Sequence, residues 1–151
     1  MKEGKRMNKY QEIINTEATK YDAIYEISDE IIKKMNAHEP LTEYEKVLFY
    51  IQELDSYVCQ DGVGAFLSSM YQRNLYPKYF QFTVNALKEI GAIQTYEKFR
   101  EVYNRYCDMQ EYNLERMIGD SDFLEAFDKW YYRYDDDLTE LQYQYVLKHL
   151  V

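Results

Sequence analysis

The sequence predicts an all-α fold, a single compact domain of about seven helices. Three observations carry this. Apolar residues recur at three- and four-residue spacing along most of the chain. No alternating period-2 run of useful length interrupts them. Five Gly and two Pro among 151 residues are too few for a loop-rich all-β protein. A hydrophobic fraction of 46% is enough for a packed core and excludes full disorder. At this length one core suffices.

Residues 1–9 read as a flexible basic N-terminal tail, with Lys2, Lys5, Arg6 and Lys9 against Glu3. Residues 10–151 read as a single helical domain. Its first helix is marked by Ile14, Ala18, Tyr21, Tyr25, Ser28, Ile32 and Met35, alternately four and three apart. Ile24, Ile27 and Ile31 widen that stripe, which stops near Ala37 ahead of Pro40. The repeat lasts about three heptads, so a packed long helix is expected and a coiled-coil homodimer is left open. Thr42 and Glu45 form a capping box, which satisfies free N–H groups at a helix start. Tyr44, Val47, Leu48, Ile51, Leu54 and Val58 then line one apolar face. Asp61-Gly62-Val63-Gly64 is expected to be a structural turn around Asp61, Gly62 and Gly64, because Gly permits positive φ.

Ala65 to Tyr71 is a short helical piece, followed by a loop at Asn74 to Pro77. Pro77 suits the start of the next helix, lined by Phe80, Val84, Leu87 and Ile90, with Gly91 as its C-terminal cap. Tyr96, Phe99, Tyr103 and Tyr106 mark another helix. Asp120 or Ser121 can cap its successor, carried by Phe123, Phe127, Trp130, Tyr131 and Tyr134. Asp137 with Glu140 makes a second capping box, and Tyr143, Val146, Leu147 and Leu150 face the last helix inward.

Several function classes find no support in this pattern. A net charge of −9 argues against direct nucleic-acid binding, which needs a basic face to neutralise phosphates. No apolar run approaches a membrane span, and no apolar segment follows the basic start, so a cytoplasmic location is expected. Cys59 and Cys107 sit in helical patterns without metal-ligand spacing, and are expected to be reduced, buried thiols. Gly62-Val63-Gly64 lacks the strand and the Gly-Lys-Ser/Thr of a phosphate loop. His38 and His149 read as surface and helix-end residues. No cofactor, no metal and no catalytic group is expected, and the chain is read as not an enzyme.

Charge placement is more informative. From Asp108 onward, 11 acidic and four basic residues leave −7 of the total −9. Tyr is abundant, 18 residues, and suits interfaces through its apolar body and polar tip. In Trp130-Tyr131-Tyr132-Arg133-Tyr134 not every ring can face inward, and Tyr132 is expected to point away. The candidate docking surface for a basic protein partner is therefore Asp120, Asp122, Glu125, Asp128, Tyr132, Asp135, Asp136 and Asp137.

Three segments carry a resemblance: Val47-Leu48-Phe49-Tyr50-Ile51-Gln52-Glu53-Leu54-Asp55, Asp61-Gly62-Val63-Gly64-Ala65-Phe66, and Ala86-Leu87-Lys88-Glu89-Ile90-Gly91-Ala92. With Trp130-Tyr131-Tyr132 and the Asp run, they resemble a bacterial DMP-like family of all-α domains whose namesake is a DNA mimic protein. The resemblance implies a helical domain without catalysis, with a homodimer open. It also implies a basic protein partner, either a DNA-binding transcription factor or, in an immunity or antitoxin role, a basic toxin. A helical domain with no electrostatic partner is the remaining alternative.

Overall fold

The structure is a computed structural model and describes residues 8–73, 78–106 and 119–151. Eight helices and no strand occur among these residues. They are α1 (Lys9–Thr16), α2 (Lys20–Asn36), α3 (Glu43–Asp61), α4 (Val63–Gln72), α5 (Lys78–Glu89), α6 (Ile93–Tyr106), α7 (Ser121–Tyr131) and α8 (Leu138–His149). Among them none is long and apolar enough to cross a membrane.

The single long N-terminal helix expected from the periodicity is two helices. Glu17 leaves the helix with an extended backbone, and the Thr19 side chain accepts from the Asp22 N–H to start α2 anew. The buried face of α2 is Ala23, Ile24, Ile27 and Ile31. The heptad stripe lies on the other side: Tyr21, Tyr25, Ile32 and Met35 are exposed. Asn8 caps α1 through the Gln11 N–H, so helical structure begins within the segment read as tail.

The capping box at Thr42 forms as expected. Its Glu45 does more than cap. Its side chain is only 2% exposed, yet it takes hydrogen bonds from the Tyr10 hydroxyl, the Thr42 N–H and the Lys34 ammonium. One carboxylate thus joins α1, α2 and the start of α3. Burial alone would push its proton affinity up, but these donors outweigh burial and hold it below its ordinary range.

α3 is the central element. It packs on α4 and α5, with α2 also against it, and α8 covers α2. Leu48, Ile51, Leu54 and Val58 face the core from α3. Phe66, Phe80 and Phe99 are fully buried beside them, with Phe80 and Phe99 stacked at 4.7 Å. Such aromatic pairs add to area burial, the dominant favourable contribution. The turn after α3 contracts to Gly62, at φ +88°. Asp61 ends α3, and Gly64 lies inside α4, where an added Cβ would meet only Leu124 at an ordinary 3.6 Å. Gly91, at φ +83°, ends α5 as expected. The loop expected at Asn74 to Pro77 lies outside the described residues, as does Cys107. Cys59 is a free thiol but exposed, a correction to the buried thiol expected, because it sits on the solvent side of α3.

In α8 the inward face is Leu138, Gln142, Tyr145 and Val146, whereas Leu147 is exposed. Of the face expected, Val146 is buried and Tyr143 and Leu150 pack partly against the core, so Leu147 is the one of the four that turns outward. Gln142 is tolerated inside because it donates to the Leu138 carbonyl and accepts from Gln52.

Candidate protein-interaction surface

The eight residues named for docking fall on α7, its N-terminal approach and the turn into α8. The structure gives them unequal tasks. Asp120 is the residue before α7 but does not cap it with its side chain. Its carboxylate instead takes two hydrogen bonds from Arg105, at 3.0 and 2.7 Å, and one from the Tyr106 hydroxyl at 2.9 Å. Burial and this acceptor push the Tyr106 hydroxyl up to about 12. Asp120 therefore ties α6 to α7.

Asp128 also works inward. Its Oδ1 accepts from the Val63 N–H at 2.8 Å, capping α4 from another helix. The fit is close: a Cβ on Gly62 would stand 2.6 Å from Asp128 Oδ2. Burial first, and Glu125 second, push the Asp128 carboxyl up against the effect of the Val63 N–H.

The Asp run divides three ways. Asp135 pairs with Arg133 at 3.3 Å. Asp136 Oδ2 accepts from the Thr95 N–H at 2.6 Å and its hydroxyl at 2.9 Å, capping α6 from a distance. Asp137 caps α8 through the Glu140 N–H. The expected reciprocal half of that box goes elsewhere, because the Glu140 carboxylate pairs with Lys20 at 2.6 Å and joins α8 to α2. Tyr132 presents its ring to solvent, 49% exposed, while its hydroxyl donates to the Val58 carbonyl.

Asp122 and Glu125 remain. Both are exposed on α7, and neither has an ion-pair partner among the described residues. Asp61, at the end of α3, is likewise exposed and unpaired. The Asp128 carboxylate lies so near Gly62 that the end of α3 is held against α7. Asp61, Asp122 and Glu125 are thus exposed carboxylates with no ion-pair partner among the described residues, and the Tyr132 ring is exposed as well. The inward tasks of Asp128 and Asp136 left no local trace in the sequence, because their partners are 65 and 41 residues away.

A second surface feature had no motif. A cleft of about 450 Å³ opens between α2, α3 and the turn into α8. Tyr21, Tyr25 and Tyr134 stand around it, with Asp55 and Asp137 among its lining. Among the described residues, no group of three or more His, Cys, Asp or Glu is placed to hold a metal ion.

A family model described as DMP19-like protein matches residues 39–149. The chain belongs to this family. The match begins ahead of α3 and ends within the last turn of α8, so it takes in the central helix, the Gly62 junction, α7 and the Asp run. Helices α1 and α2 lie outside the DMP19-like span. Searches of curated proteins and of solved structures returned no match.

Proposed function

We propose that this DMP19-like chain is a non-enzymatic acidic interaction protein that binds a basic protein partner, occupying surface the partner otherwise offers to nucleic acid. The observation that carries the reading is the family match over residues 39–149. The physical chemistry agrees with it. A net charge of −9, with −7 from Asp108 onward, creates a negative field that attracts a basic surface and speeds encounter. Asp61, Asp122 and Glu125 are exposed carboxylates without cationic partners among the described residues, and so are open to partner Lys and Arg side chains.

The test is capture of the partner by tagged full-length protein from lysate of the source cells, washed at low and at high salt. A basic DNA-binding protein retained at low salt and released at high salt, and rebinding as purified protein, supports the reading. A basic nuclease behaving in this way assigns the immunity role instead. A partner held equally at both salts removes the electrostatic basis, since exposed charges are screened beyond about 8 Å at physiological ionic strength.

A further inference from the structure

We propose that the cleft between α2, α3 and the turn into α8 is a receptor for one arginine side chain of the basic partner. The inference rests on the reading that the partner is basic, and adds where one of its charges is seated.

The cleft's volume of about 450 Å³ lies within the range of small-ligand sites. Three rings line it, and all are open to solvent: Tyr21 is 68% exposed, Tyr25 64% and Tyr134 50%. Grouped exposed aromatics of this kind mark contact sites rather than core margins. Tyr134 is also held at φ +50°, a left-handed backbone that a bulky residue adopts only where its surroundings enforce it. Its hydroxyl lies 3.6 Å from the Cys59 sulfur, which helps fix the ring beside the cleft.

The charge in the cleft has one sign. Asp55 and Asp137 are its charged lining residues, with no Lys or Arg among them. Asp137 also caps α8. Asp55 is half-buried on α3. Its Oδ1 accepts from the Tyr131 hydroxyl at 2.6 Å and from the Cys59 thiol at 3.8 Å, while Oδ2 has no hydrogen bond and no cation pairs with the group among the described residues. Lys20, next to Tyr21, is already paired with Glu140, and Arg133, next to Tyr134, with Asp135. A half-buried carboxylate with a vacant oxygen, in a cleft lined by three tyrosines, complements a cation. Arginine fits better than lysine: its flat guanidinium stacks on tyrosine, matches a carboxylate and gives up water more readily than an ammonium. Tyr21 and Tyr25 lie outside the span matched by the family model, so family membership does not supply this site.

The test titrates isotope-labelled full-length protein with a glycine-flanked peptide carrying one arginine, and with its citrulline counterpart, by NMR. The arginine peptide should give saturable shifts at Tyr21, Tyr25 and Tyr134, and the neutral citrulline peptide none. Asp55→Asn keeps an acceptor for Tyr131 and should weaken binding about tenfold, the effect of losing a charge-assisted pair. Tyr21→Ala, at a mostly exposed position, should weaken it about threefold, as for one exposed cation–π contact. Equal binding of both peptides, or shifts centred on Asp122 and Glu125, overturns the cleft and leaves the basic-partner reading standing. No shift anywhere also overturns the cleft, and the basic-partner reading is then decided by the salt-dependent capture. Shifts of Tyr21 and Tyr25 that follow protein concentration without peptide mean that a second copy covers this wall, and overturn it as well.

Discussion

Asp128 shows how one carboxylate can look like surface charge and act as a structural part. It supplies the acceptor for the first N–H of α4, and it lies where only a residue without a Cβ fits at position 62. Replacing Asp128 by Ala leaves the Val63 N–H without its partner and should cost about 1–2 kcal/mol in denaturant unfolding. Asp128→Asn keeps the acceptor and removes a charge that burial and Glu125 disfavour, so it should leave stability unchanged or slightly higher. A large loss in the Asn variant would show that the charge itself, not the acceptor, holds the junction. Gly62→Ala combines a positive φ with a contact at 2.6 Å, and should cost about 1–3 kcal/mol by the same measurement. Asp122→Asn has none of these roles. It should shift stability by less than about 0.5 kcal/mol while weakening partner capture.

At the level of helices, the devices readable in the sequence are those whose two ends lie within a few residues. Thr42 with Glu45, and Gly91 after α5, are of this kind, and both form as expected. The break between α1 and α2 was hidden because Ile14 and Ala18 continue the periodicity of Tyr21 and Tyr25, and periodicity does not register a cap at Thr19. The same regular stripe concealed which face is buried, since Ala23, Ile24, Ile27 and Ile31 fill the core side. Glu45 is the clearest case of an element-level effect that sequence could only half show. Its cap is local, but its bonds to Tyr10 and Lys34 require three helices in place. Glu45→Ala should cost about 2–4 kcal/mol, the sum of a lost cap and an unsatisfied buried donor. The sign of its pH dependence follows from its lowered folded pKa. The stabilisation is complete above the ordinary value of 4.5 and is lost as pH falls through the folded value. Wild type should therefore lose stability on acidification more steeply than Glu45→Gln, measured by urea midpoints from neutral pH down to about 3. Parallel curves would show that the carboxylate has no special share in acid unfolding.

For the molecule as a whole, the excess of negative charge acts in opposite directions on folding and on association. The native state gathers carboxylates that the unfolded chain holds further apart, so self-repulsion destabilises it. Asp61, Asp122 and Glu125 contribute to this without compensation by a described cation. Against it stand exposed ion pairs such as Lys33–Asp29, Lys46–Glu43 and Lys98–Glu101, all within single helices and each worth little. The links between helices that matter more are partly buried, as with Glu45 and Asp120, and salt screens those less. Adding salt should thus relieve repulsion more than it weakens attraction. The free protein should melt a few degrees higher as salt is raised to about 1 M, where the screening length is about 3 Å. A partner held by the same negative field should bind more weakly over the same range, because the screening that relieves repulsion within the chain also removes attraction to a basic surface. Opposite slopes in a melting series and a binding series, on one preparation, are the signature expected of an acidic docking protein. A melting temperature that falls with added salt would mean that its ion pairs outweigh its repulsion, and that the excess charge is already balanced within the fold.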